Sequence, residues 1–188
     1  NNTVSLACLW QLANDPETGH VIRNFEIAAG QRAGEFQGTH WHDAWLFKWL
    51  EAACYVLADD PDTRLEGRRL DQRVEEMVKL IAAAQEQDGY IATQVTARKS
   101  LGRFKQHKYH ELYTMGHMLT AASVHHRITG KRNFLRVAEK CANFVYDFFS
   151  KNQAQYPSFP NNPSIIMGAV DLYRVTDNMT YLALAQHF

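Results

Sequence analysis

The sequence predicts an all-α fold of repeated helical hairpins, and three observations predict it. Large apolar residues recur at helical spacing along most of the chain. Alternating apolar and polar runs, the mark of half-buried strands, are scarce. A helix, turn and helix unit occurs twice, since Ala122-Ser-Val-His-His-Arg-Ile-Thr-Gly-Lys-Arg-Asn-Phe-Leu-Arg-Val-Ala138 returns in register as Ala169-Val-Asp-Leu-Tyr-Arg-Val-Thr-Asp-Asn-Met-Thr-Tyr-Leu-Ala-Leu-Ala185.

The first helix is predicted from Ala44 to Ala58, where Trp45, Trp49, Ala53 and Val56, flanked by Leu46, Leu50 and Leu57, share a face. Asp43 sits where an N-cap belongs. Leu70, Val74, Met77, Ile81 and Ala84 mark the second, which ends before the turn signal Gln87-Asp88-Gly89. Tyr90 to Thr96 is the only run that reads as a short hairpin strand. A third helix spans about His110 to Ile128 and stops at Thr129-Gly130. The fourth carries one wide apolar stripe of Phe134, Val137, Ala138, Cys141, Phe144, Val145 and Phe148. A fifth covers Ser164 to Val175, and a sixth begins near Thr180 and reaches the last residue uncapped, so residues 1–188 are expected to be a single partial domain, with 1–23 as a lead-in.

An apolar content of 46% supplies one sizeable core, and 20 basic residues balance 20 acidic ones, so no net field draws the chain to nucleic acid or an anionic membrane. No apolar run is long enough to span a bilayer. Cys8, Cys54 and Cys141 are an odd number at wide spacings without a C-x-x-C pair, which argues against a disulfide framework and a closed zinc site. Cys54 and Cys141 fall on apolar helical faces, as buried inert thiols do.

Repeated hairpins bury their faces by stacking, as an open solenoid or as a closed ring of inner and outer helices. The segments Tyr90 to Lys108 and Asn152 to Pro163 are long, dissimilar and aromatic-bearing, unlike the uniform turns of a solenoid, and long connections at one end of a helical ring make a pocket. Polar and aromatic residues collect at these helix ends: Trp41, His42 and Asp43, then Tyr90 and Gln94, His110, and Asn161 and Asn162. A sugar needs such a set, because its C–H faces stack on aromatic rings and its hydroxyls demand hydrogen-bond partners.

The most informative stretch is His110-Glu-Leu-Tyr-Thr-Met-Gly-His117, which puts titratable groups at the mouth of an otherwise apolar hairpin. His110 and His117 lie about 10.5 Å apart along a helix, too far to share one metal ion. The plain structural reading of Gly116-His117 is close helix packing beside a hydrogen-bonded imidazole, and that of Asp43 is a helix cap. His40-Trp-His42 has strand-like metal spacing, for which a loop contact is the simpler account, and His125-His126 suits a helix C-terminus that favours positive charge. Arg98, Lys99, Arg103, Lys105 and Lys108 form a positive loop, either solvated or suited to an acidic sugar.

Asn24-Phe-Glu-Ile-Ala-Ala-Gly30, Gly34-Glu-Phe-Gln-Gly38, Asp43-Ala-Trp-Leu-Phe-Lys-Trp-Leu-Glu-Ala-Ala53, Leu80-Ile-Ala-Ala-Ala-Gln85 with Asp88-Gly-Tyr90, His110-Glu-Leu-Tyr113 with Gly116-His117, and Thr129-Gly-Lys131 together resemble the N-terminal part of the β-L-arabinofuranosidase-like proteins of the glycoside hydrolase family 127/146 group. The resemblance runs from about Asn24 to the end. It implies an (α/α)6 barrel, of which this chain holds the first half, with β-sandwich domains beyond. It also implies a retaining hydrolysis of non-reducing β-L-arabinofuranosides by a zinc-bound cysteine thiolate. Those catalytic and zinc-ligating residues belong to the later half, so no catalytic or metal residue is assigned here, and the piece alone is expected to be inactive. His110 falls on the family's sugar-binding histidine. Asp43, His117, Asn162, Tyr90 and Trp41 complete the expected substrate-binding set. Asn162-Pro-Ser164 stands where the family carries a His-Pro-Glu type of pattern, a departure that bears on the exact sugar.

The expected partners are a carbohydrate and a second copy in a homodimer, without nucleic acid or membrane. A cytoplasmic and a periplasmic or secreted setting both stay open. Two other readings also stay open: a different α/α-barrel carbohydrate enzyme, either a lyase or an unsaturated-glycoside hydrolase, and a non-catalytic helical-repeat binding module.

Overall fold

A computed structural model describes residues 2–15, 17–152 and 162–188. Its elements are α1 (Asn2–Asn14), α2 (Val21–Ala28), α3 (Asp43–Asp59), a hairpin of β1 (Arg64–Leu65) and β2 (Arg68–Arg69), α4 (Leu70–Ala84), α5 (Thr93–Ala97), α6 (Glu111–Thr129), α7 (Asn133–Asn152), α8 (Ser164–Thr176) and α9 (Met179–His187). Single 3-10 turns cover Lys99–Leu101 and His107–Tyr109. The all-α prediction holds, and the predicted helices α3, α4 and α6 to α9 appear within a few residues of their expected ends.

The helices form two layers. One consists of α3, α6 and α8 side by side, and α4, α7 and α9 pack behind it. The repeat seen in the sequence is a repeat in structure. Gly130 and Asp177 occupy equivalent positions, and both end their helices in the left-handed conformation, at φ 69 and 55. One residue earlier, Thr129 and Thr176 each donate a hydroxyl at 2.7 Å to the carbonyl four residues back, His125 and Leu172. Phe134 and Tyr181 are then buried at matching places in the second helix of each unit.

The inner layer is drawn together through glycine. A Cβ on Gly116 would lie 2.2 Å from the Ser164 carbonyl carbon, and one on Gly168 would lie 2.3 Å from the Gly116 oxygen. Any side chain at either position would force α6 and α8 apart, which gives Gly116 the packing role that the plain reading of Gly116-His117 assigned to it.

Three features differ from expectation. Residues in the lead-in form α1, whose Leu6, Trp10 and Ala13 are buried against the core, with Trp10 and Trp49 rings 4.7 Å apart. Tyr90 to Thr96 is not a strand: its second half is the helical turn α5, and the hairpin lies instead at residues 64–69. Its apolar alternation reflects burial of Tyr90, Ile91, Ala92 and Val95 in a folded-back loop rather than ladder pairing. Asp43 does not cap its own helix, because His42 holds the N-cap position and Asp43 lies in the first turn. Both Asp43 oxygens reach across to α5, accepting from Thr93 N at 2.8 Å and Thr93 Oγ1 at 2.7 Å.

Candidate functional site

The inner layer has one face turned away from the second layer, and its partly exposed residues recur at helical spacing. On α6, residues 111–125 are buried except for Tyr113, His117 and Thr120. On α3 the matching stripe is Trp45, Lys48, Glu51, Ala52 and Tyr55, and on α8 it includes Met167, Val170, Asp171 and Arg174. A buried helix that leaves only a tyrosine, a histidine and a threonine accessible in its first three turns keeps a polar strip where packing alone favours apolar residues.

The strip starts at the mouth of the layer. His110 precedes α6 in the left-handed conformation, at φ 52, which turns its ring onto Trp41, 5.4 Å away and edge-on. Trp41 is 40% exposed, so an indole face is available beside the imidazole. Burial, with a smaller contribution from His40, holds the His110 pKa below the usual histidine value. The ring of Tyr113 follows at 5.9 Å from His110, and His117 stands edge-on to Tyr113 at 4.7 Å. Lys48 of α3 donates from Nζ to the Tyr113 hydroxyl at 2.6 Å. Desolvation, and then the nearby Lys48 charge, push His117 down to about 4, so its imidazole is neutral at physiological pH. Farther along, Thr120 donates to Asp171 Oδ2 at 3.1 Å. Glu51 has its pKa raised by burial and by the charge of Asp171.

The structure therefore brings Trp41, His110 and His117 onto one open face. Each of the other three predicted residues has a partner within the chain. Asp43 is buried on Thr93, and desolvation raises its pKa to about 6. Tyr90 is fully buried, with its hydroxyl donating to Glu111 Oε1 at 2.5 Å. Asn162 uses its Oδ1 to accept from Ser164 N at 3.0 Å at the start of α8. Asn161 lies outside the described residues.

His40 and His42 diverge. His40 Nδ1 donates to the Gln94 side-chain oxygen Oε1, while His42 stacks on Trp45 at 3.8 Å and donates to Gly19 O at 3.3 Å, so the loop-contact reading describes both. His125 is fully buried, and its pKa is lowered chiefly by desolvation, so the positive charge expected at that helix end is not favoured on this ring. In the positive loop, Arg103 pairs with Glu86 at 2.8 Å and with Asp88, and it stacks over Tyr90 at 4.3 Å; it braces the loop. A groove of 440 Å³ runs along α7 between Asp88 and Asn152, on the other layer and away from the polar strip. Cys54 and Cys141 are buried, and desolvation pushes both thiols up to about 12, the opposite of what a thiolate ligand requires. Among the described residues no group of three or more His, Cys, Asp or Glu side chains comes together.

Sequence reasoning missed Lys48, Glu51, Asp171 and Glu111. Lys48 and Tyr113 each sit inside a motif of the sequence, but their 65-residue separation hides the bond between them. Glu111 is 2% exposed and accepts from Phe104 N at 2.9 Å as well as from Tyr90.

The model of the β-L-arabinofuranosidase catalytic domain of glycoside hydrolase family 127 matches residues 1–188. The chain is 34% identical over 173 residues to a non-reducing end β-L-arabinofuranosidase of Bifidobacterium longum subsp. longum, which covers 89% of this chain and 26% of that protein. It superposes with a TM-score of 0.85 on the crystal structure of a family 127 β-L-arabinofuranosidase from Geobacillus stearothermophilus T6, at 35% identity over 97% of this chain and 29% of that one. A second family 127 β-arabinofuranosidase superposes with a TM-score of 0.76 at 28% identity, covering 99% of this chain and 29% of the other. The chain thus spans between a quarter and a third of the length of these relatives.

Proposed function

Because the chain belongs to the catalytic-domain family of glycoside hydrolase family 127 β-L-arabinofuranosidases, we propose that it supplies the sugar-binding face of an enzyme that cleaves non-reducing terminal β-L-arabinofuranosides with retention. The observation that carries this reading is the polar strip of His110, Tyr113 and His117 on an otherwise buried helix, with Trp41 at its mouth. The two inner helices α3 and α6 carry it, and a third, α8, packs on α6 through Gly116 and Gly168. A rigid inner layer of parallel neighbours backed by an outer one is the packing expected of part of an (α/α)6 barrel, and the polar strip would then face the barrel axis.

These residues would bind and orient. Trp41 offers an apolar face to the sugar C–H groups, and the neutral rings of His110 and His117 each offer one donor and one acceptor to hydroxyls. A two-step displacement with retention needs a nucleophile and an acid/base group, and Cys54 and Cys141, buried and high in pKa, fit neither a nucleophile nor a zinc ligand. The zinc implied by the resemblance therefore finds no ligand set among the described residues, and no step is derived through it.

The test is turnover of p-nitrophenyl β-L-arabinofuranoside by the native protein, with the anomer of the first-formed sugar followed by NMR. Hydrolysis with the β-anomer formed first supports the reading. No hydrolysis of this substrate, together with cleavage of a polyuronide to a product with an unsaturated uronate end, favours the lyase class instead.

A further inference from the structure

Lys48 and Tyr113 lie one helical turn deeper than His110 on the same strip. The 2.6 Å contact from Lys48 Nζ to the Tyr113 hydroxyl fixes more than a position. An ammonium has three donors and no acceptor, so it uses a lone pair of the phenol oxygen and leaves the phenol proton no partner on its own side. That proton points away from the amine, and because Tyr113 is only partly buried its donor is left for a ligand on the open face. The next group along is His117, ring-to-ring with Tyr113 at 4.7 Å, whose neutral imidazole adds one donor and one acceptor. At the far end Glu51 and Asp171 raise the local negative charge, which disfavours an anionic ligand there.

We infer that Lys48 and Tyr113 form a second hydroxyl-recognition station of the sugar site, in which Lys48 locks the Tyr113 hydroxyl as a donor toward an uncharged sugar. The inference rests on the arabinofuranosidase reading for the identity of that sugar and on the geometry above for the rest.

The experiment titrates L-arabinose into the native full-length protein by calorimetry, with D-galacturonate as the acidic comparison. It uses the wild type, Lys48→Met, Lys48→Arg, Tyr113→Phe and the Lys48→Met/Tyr113→Phe double variant, with turnover of the nitrophenyl arabinofuranoside measured in parallel. Losing a hydrogen bond to a charged or charge-polarised partner weakens binding about tenfold or more. The expected result is that loss in Lys48→Met and in Tyr113→Phe, a double variant no weaker than the worse single one, near-recovery in Lys48→Arg, and poorer binding of galacturonate throughout. A merely structural role would not produce that non-additive pattern together with rescue by arginine. The inference is overturned if both single variants bind within about twofold of the wild type, if their losses simply add, or if no neutral sugar binds the wild type. Should Lys48→Met fail to fold, Tyr113→Phe and Lys48→Arg carry the same test. Normal sugar binding without any turnover sinks the arabinofuranosidase reading and leaves the station standing, whereas normal turnover with unaffected variants sinks the station alone.

Discussion

Glu111 follows His110 directly, yet its carboxylate faces inward, accepting from Tyr90 Oη and Phe104 N, with Arg103 the nearest charge. Burial raises its pKa from 4.5 to about 7. The folded state therefore binds a proton that the unfolded state releases between pH 4.5 and 7, and stability falls as pH rises through that window. The size is roughly 3 kcal/mol, taking 1.36 kcal/mol for each pKa unit. His117 acts in the opposite sense, because its depressed pKa costs stability as pH falls from 6.5 toward 4. The clean measurement is thus a difference: denaturant unfolding of wild type and Glu111→Gln at pH 4.5 and pH 7.5. The variant should gain on the wild type by roughly 3 kcal/mol between the two, and a constant difference would mean that Glu111 is not perturbed by burial. Asp43→Ala tests another buried carboxylate. It leaves Thr93 N and Oγ1 without their acceptor, at a cost of about 1–3 kcal/mol. Equal stability of this variant in chemical denaturation would show that the α5 tie is dispensable.

At the scale of elements, the helix pair α6 and α8 depends on two glycines whose backbones touch. Gly116→Ala inserts a methyl where the nearest heavy atom, the Ser164 carbonyl carbon, is 2.2 Å away, and backbone cannot yield as a flexible side chain can. The expected cost is about 1–3 kcal/mol or more, read as a lower melting temperature. A melting temperature equal to wild type would mean that α8 does not pack on α6 as described. The elements themselves were legible where one local pattern sufficed. The wide stripe of α7, the Thr129-Gly130 stop and the duplicated hairpin all report structure directly, because a helix writes its buried face into spacing. The α1 helix is hard to read from sequence because its buried set of Leu6, Trp10 and Ala13 is short, even though Asp15-Pro16 and Gly19 follow its end. Asp43 was misplaced for a different reason. Its partner is 50 residues away, and an aspartate before an apolar run looks the same whether it caps its own helix or another.

Over the whole molecule, the arrangement puts apolar surface between two helix layers and leaves polar side chains on the free face of one of them. That free face is the part of the proposed site that is half legible in the sequence. His110, His117 and Trp41 meet there, and the resemblance to arabinofuranosidases named the first two of them. Lys48, Glu51 and Asp171 join it only once the chain is folded, because three helices separated by long loops bring them together, and no spacing encodes such a meeting. Tyr90 and Asn162 stand at helix ends as binding residues do; in the fold Tyr90 Oη donates to Glu111, and the Asn162 side-chain oxygen Oδ1 accepts from Ser164 N at the start of α8. Sequence position at the mouth of a hairpin thus does not separate groups left on the open face from groups that hold the mouth together.

The central claim is that this face binds the furanoside an enzyme of this family cleaves, with His110 at its mouth. The most direct measurement is kcat/KM of the native protein and its His110→Gly variant on p-nitrophenyl β-L-arabinofuranoside. Glycine accepts the φ of 52 at this position without strain, so the change removes the imidazole and spares the backbone. The account predicts turnover by the wild type and a fall of about 10- to 100-fold in a variant that melts at the wild-type temperature. Equal kcat/KM in the two proteins, or no turnover of the β-L-arabinofuranoside by the wild type, would contradict it.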